Sequence, residues 1–145
     1  MNVKLTVQVS TKLNRSHLVT GKTALILPCL GRTEVDLQES GKQFVTVENS
    51  MGIVHMSEGS VQPVSPYLRS EPWIISHLCN AVLPNERNWL EFVNNYDNIR
   101  DLMSRALFGF EDYNSRVRQE NGFLLPNPPR AVSYTHLTLP TIYSV

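Results

Sequence analysis

The apolar period of the chain changes near residue 70, and no other feature restricts its fold as much. Before that point Val3, Leu5, Val7 and Val9 recur at every second position, the spacing that sets side chains on one face of a strand. After it Trp73, Ile74, His77, Leu78, Ala81 and Val82 recur at steps of three and four, the spacing of one helix face. Neither pattern suits the other element, so strands are expected first and helices second, an α/β or α+β chain.

Within the strand half, Val3–Val9 is read as one strand with its apolar residues facing one way. Ala24–Leu27 is read as a second, buried strand, stopped by Pro28, which has no N–H to give a sheet ladder. Gln43–Glu48 and Gly52–Ser57 flank Asn49, Ser50 and Met51 and predict a hairpin. His55 lies inside that alternation, and a lone strand histidine is packed or hydrogen-bonded more often than it is a metal ligand. Glu58–Leu68 carries Gly59, Pro63 and Pro66 and predicts an irregular connection.

In the helical half, Ser70 is a fitting N-cap with Pro72 in the first turn, and the stripe that follows is read as core rather than a cofactor box. A short helix over Asn88–Asn94 presents Trp89, Phe92 and Val93. A longer one over Asp97–Phe108 presents Ile99, Leu102, Met103, Ala106 and Leu107. Glu111–Gln119 adds a helical segment that closes at Asn121 and Gly122, and FLLPNPPR then extends.

Charge excludes some partners. Thirteen basic and thirteen acidic side chains cancel, so long-range attraction favours neither nucleic acid nor an anionic membrane. No apolar run approaches the ~18 residues of a membrane span, and MNVKLTVQVS lacks the core of a signal peptide. The cytoplasm is the default compartment. Cys29 and Cys79 stand far apart without a CxxC partner, which argues for buried free thiols and against a zinc or iron–sulfur site made by this chain alone.

Ser10–His17, STKLNRSH, is the densest group of donors, with hydroxyl, amide, guanidinium and imidazole in eight positions. Such a set suits a loop that contacts an anion, and it suits a solvated loop equally well. A hydrolase using His17 or His77 with a serine would need a nucleophile elbow such as GxSxG, which the sequence lacks.

Leu27–Gly52, LPCLGRTEVDLQESGKQFVTVENSMG, is too long a run of specific residues to recur by chance. Together with LTVQVSTKLNRSHLVTGKTALI before it, and SPYLRSEPWII, NYDNIRDLM, GFEDYNSRVRQ and GFLLPNPPR after it, the chain resembles the YdeP-type branch of the formate-dehydrogenase-alpha-like molybdopterin oxidoreductases. The likeness runs from Leu5 to Arg130.

That resemblance implies an internal piece of a longer enzyme. The parent would bind molybdenum between two pterin guanine dinucleotides, with an iron–sulfur cluster nearby that this chain does not ligate. Residues 1–68 would end the parallel-sheet cofactor-binding domain, hairpin included. Residues 69–130 would form a helical segment and linker toward a missing pterin-binding domain. The metal ligand and the cluster cysteines lie upstream in the family, so the piece alone would be inactive, its partners being the pterin dinucleotide and the rest of the polypeptide. Formate is the substrate class that the family name carries, and fold likeness does not fix chemistry. The polar turn Thr11, Asn14, Arg15, Ser16 and His17 would contact the cofactor, because ligands of open α/β sheets lie beyond the strands' carboxyl ends. Arg32 and Glu34 of GRTE are second choices, with a loop brace or structural ion pair as the competing role. Cys29 would be a packed thiol. A free-standing, non-catalytic binding module is the alternative to the enzyme piece.

Val132–Thr141, VSYTHLTLPT, matches none of this. Read back as GTC TCT TAT ACA CAT CTG ACG CTG CCG ACG, it resembles the transposase end and adapter of short-read library preparation. Residues 131–145 are therefore expected to be a non-native tail, against the competing reading of a natural strand over THLTL.

Overall fold

The computed structural model describes residues 3–126; the tail from Ala131 and the last residues of FLLPNPPR lie outside the described residues. The chain divides into two compact units. The first takes the described part of Met1–Gln43 together with Glu58–Asn95, and the second takes Phe44–Ser57 with the described part of Tyr96–Val145.

In the first unit, β1 (Leu5–Ser10) and β2 (Thr23–Pro28) pair in parallel, in register from Leu5 with Thr23 to Ser10 with Pro28. Parallel neighbours need a crossover, and here it holds one 3₁₀ turn, Arg15–Leu18, where an irregular loop was expected. Both strands lie close to where the sequence put them, β1 starting at Leu5 rather than Val3 and β2 running on through Pro28, but β2 is not buried. Leu25 and Ile26 keep 48% and 47% of their surface, and Leu5 and Val7 of β1 keep 52% and 50%. A parallel sheet is dry only where other chain covers its faces, and the face of Leu5, Val7, Leu25 and Leu27 stays open.

Two short strands, β3 (Asp36–Gln38) and β4 (Gly41–Gln43), form a hairpin. α1 (Glu71–Val82) starts as expected, with the Ser70 hydroxyl accepting the Trp73 N–H at 3.4 Å. Its stripe is not core, however: Leu78 and Val82 are exposed by 58% and 66%. The helix shows the right period but lacks a cover for it. α2 (Glu91–Asn94) buries Phe92 and Val93.

The second unit joins the hairpin β5 (Val45–Glu48) and β6 (Ile53–Ser57) to α3 (Asp97–Ala106) and α4 (Tyr113–Val117), and β7 (Phe123–Leu124) adds to β6. Asn49 shapes the hairpin turn, its side-chain oxygen accepting the N–H groups of Met51 and Ile53. Val54, Tyr113, Val117 and Phe123 form the core. The rings of Tyr113 and Phe123 meet edge to face at 5.4 Å, and the Tyr113 hydroxyl shares a hydrogen with Thr46 Oγ1 at 2.7 Å. The elements together make a mixed α/β chain with a small parallel sheet. Among the described residues no helix is long and apolar enough to cross a membrane.

α3 also buries a charge that its apolar stripe did not foretell. The Arg100 guanidinium donates to Asn114 Oδ1 at 2.7 Å, to the Phe44 carbonyl at 3.1 Å and to the Asp97 carboxylate, and it lies 3.8 Å over the Phe44 ring. Arg118 Nη2 donates to both Asp97 oxygens at 2.8 Å. Burial alone would raise the Asp97 carboxyl, but the hydrogen bonds and charges of Arg118 and Arg100 outweigh it and hold the group below its ordinary value. A carboxyl depressed on folding stabilises fully above its unfolded value, about pH 4, and loses that contribution as pH falls through the lower folded value. Acid titration of near-ultraviolet circular dichroism is expected to show this loss below about pH 4. Asp97→Asn should be less stable at neutral pH and flatter in acid; an unchanged acid limb in that variant would refute the role.

Candidate functional site

Because β1 and β2 run parallel, the chain leaves both at the same sheet edge, beyond their carboxyl ends. The segment after β1 carries Thr11, Asn14, Arg15, Ser16 and His17, and the loop after β2 carries Arg32 and Glu34. The five turn residues therefore come together on one short stretch, and their roles divide.

Asn14, Ser16 and His17 hold the turn. Asn14 Oδ1 accepts the Ser16 N–H at 2.9 Å and the Ser16 hydroxyl at 2.6 Å. His17 Nδ1 accepts the Asn14 N–H at 3.0 Å, a reciprocal capping box. Thr11 and Arg15 are exposed, and their side chains bond to nothing among the described residues. They are the groups free to meet a ligand.

Among the described residues the turn also leaves two buried side-chain atoms without a partner, Gln8 Oε1 and His17 Nε2. Gln8 Nε2 donates to the Ser16 carbonyl at 2.8 Å, which fixes the amide and leaves its oxygen as the orphan acceptor. His17 Nδ1 can accept the Asn14 N–H only in the tautomer that carries the ring proton on Nε2, and in that tautomer Nε2 is an orphan donor. A buried group left unsatisfied costs about 1–3 kcal/mol, so such groups need an explanation. Gln8 was missing from the sequence-derived set. It sits on the polar side of the β1 alternation with Thr6 and Ser10, a side that reads as solvent-facing until the crossover is seen to fold under it.

In the second loop, Glu34 spends both carboxylate oxygens on backbone: Oε2 accepts the Gly31 N–H at 2.6 Å and Oε1 the Val64 N–H at 3.0 Å. It ties the loop to the Pro63–Val64 stretch. Arg32 is exposed and makes no ion pair among the described residues.

Other reactive groups are occupied or inert. Cys29 is buried, and burial, followed by the Glu71 carboxylate, pushes its thiol up, which keeps it protonated near neutral pH. His77 Nδ1 donates to the Trp73 carbonyl at 2.9 Å, and its ring stacks on Trp73 at 3.6 Å. Among the described residues no three His, Cys, Asp or Glu side chains gather.

The chain is 53% identical over 128 residues, 87% of its length, to proteins named uncharacterized oxidoreductase in Mycobacterium tuberculosis and Mycobacterium bovis. It is 46% identical over 124 residues, 85% of its length, to protein YdeP of Shigella flexneri. No family model matches it, and no solved structure matches it. The chain spans only 16% of the length of these relatives. It is thus similar, along most of its own length, to one short stretch of much longer proteins, some of which carry the name oxidoreductase.

Proposed function

We propose that this chain forms one wall of the pterin dinucleotide site of a molybdopterin-dependent oxidoreductase of the formate-dehydrogenase-like kind, and that it is not catalytically competent alone. The observation that carries this reading is the turn at the carboxyl end of β1, where, among the described residues, the side chains of Thr11 and Arg15 bond to nothing and Gln8 Oε1 and His17 Nε2 lack partners. An exposed guanidinium and hydroxyl suit a pyrophosphate, and an orphan donor and acceptor suit the polar edge of a pterin or guanine. Arg32, after β2, would add a second cation at the same sheet edge. Asn14, Ser16 and His17 would set the turn's shape, and Glu34 would brace the loop beside it.

Molybdenum held by the pterin dithiolenes would supply two-electron chemistry. This chain's residues bind and orient; they do not ligate the metal. The uncovered apolar faces of β1, β2 and α1 favour this reading over a free-standing module, since apolar surface of that kind marks an interaction face.

A graft tests the proposal. This chain replaces the matching stretch of the full-length Mycobacterium tuberculosis relative, and bound pterin is released and read as its fluorescent oxidation product. The graft is expected to retain pterin, and Thr11→Ala with Arg15→Gln to lose roughly nine tenths of it, as for two charged or hydroxyl contacts of about 1–2 kcal/mol in total. Full retention in that double variant would sink the cofactor-wall reading. A monodisperse isolated chain that melts cooperatively and binds no hydrophobic dye would favour the free-standing module.

A further inference from the structure

We propose that the first unit carries a second ligand site, a cleft for a small organic anion centred on Arg69. The cleft encloses about 620 Å³, within the roughly 300–1,000 Å³ of small-molecule sites. None of Thr11, Asn14, Arg15, Ser16, His17, Arg32 and Glu34 lines it, so it does not depend on the cofactor reading.

Two prolines explain why the cleft opens. Val35 N–H donates to the Val61 carbonyl at 2.8 Å, which brings the chain after Gly59 alongside the start of β3. Pro63 and Pro66 bring no N–H to continue that pairing, and both prolines line the space beside Leu37. Leu30, Val35, Leu68 and Trp73 line it with apolar surface.

Arg69 supplies the charge. Its Nη1 donates to the carbonyls of Pro66 at 2.7 Å and Leu68 at 2.9 Å, and its Cζ stands 5.3 Å over the Trp73 ring. These contacts fix the guanidinium and leave Nε and Nη2 with donors to spare; Arg69 makes no ion pair among the described residues. Asp36, the acid that lines the cleft, is engaged by its own wall, accepting from Gln38 Nε2 at 2.6 Å. A fixed guanidinium with free donors beside an apolar, partly aromatic wall fits a carboxylate on a flat apolar body.

The test titrates the full chain with sodium benzoate at constant ionic strength, following the indole N–H resonances of Trp73 and Trp89 by NMR. Benzoate is expected to shift the Trp73 signal saturably and leave that of Trp89 in place. Arg69→Gln should weaken binding about tenfold or more, as should benzamide in place of benzoate, since each removes a charge-assisted contact. Arg69→Lys should fall between, and Arg105→Gln should match the unaltered chain. No saturable shift in the unaltered chain overturns the proposal. So does equal binding by Arg69→Gln or by benzamide.

Discussion

Alanine at Gly122 is expected to unfold the second unit. Gly122 sits at φ +62°, and a Cβ there would stand 2.0 Å from the Val54 carbonyl oxygen, 3.0 Å from its carbon and 3.1 Å from His55 Cβ. Contact at 2.0 Å with a backbone atom cannot be relieved by rotating a side chain, so one strand must move. The strand at stake is β7, whose Phe123 pairs with Val54 and packs in the core with Tyr113 and Val117. Strain in the left-handed region adds about 1–2 kcal/mol, and expelling Phe123 approaches the 3–5 kcal/mol of truncating a core aromatic. A loss above about 4 kcal/mol is therefore expected, at the exceptional end for one substitution. Urea denaturation followed through the tyrosine near-ultraviolet signal measures it, and a variant within about 1 kcal/mol of the parent would contradict the close approach of Gly122 to β6.

The parts of this fold that were readable in the sequence are those whose cause is local. Ser70, Pro72 and the stripe after them carry their own helix start, and Asn49 with Gly52 carries its own hairpin turn. The five polar residues after β1 sit together because they are neighbours in sequence. What escaped notice depends on long-range partners. β3 and β4 have three residues each and no apolar alternation, so their pairing is visible only once Gln38 meets Gly41. Arg100 interrupts a helix stripe and reads as solvated until Asn114, Phe44 and Asp97 surround it. Gln8 becomes notable only when the crossover buries its oxygen. The opposite error, calling β2 and the α1 stripe core, has one source: periodicity tells which face wants cover, and not whether the cover is present in this stretch of chain.

Alanine at Gly59 should do comparable damage to the first unit, by a different route. Gly59 is buried, and an added Cβ would lie 1.9 Å from the Glu34 carbonyl oxygen, 2.3 Å from its carbon and 2.9 Å from the Val35 nitrogen. The neighbouring backbones cannot slide apart cheaply. Ser60 and Val61 N–H groups both donate to the Thr33 carbonyl at 2.9 Å, Val35 N–H donates to the Val61 carbonyl at 2.8 Å, and Glu34 bridges Gly31 to Val64. Relieving the clash breaks several of these bonds at about 1 kcal/mol each and releases the Glu34 brace. A total above about 4 kcal/mol is expected. The benzoate response of the Trp73 indole should vanish with it, because the cleft beside Arg69 forms where this pairing ends. The native resonances of Val54 and Val117 should persist in Gly59→Ala and be lost in Gly122→Ala, while the Trp73 indole behaves the other way round. Loss of the Val54 and Val117 signals in Gly59→Ala would show that its damage is not confined to the contacts around Glu34, and the assignment of the clash to that bridge would have to be abandoned.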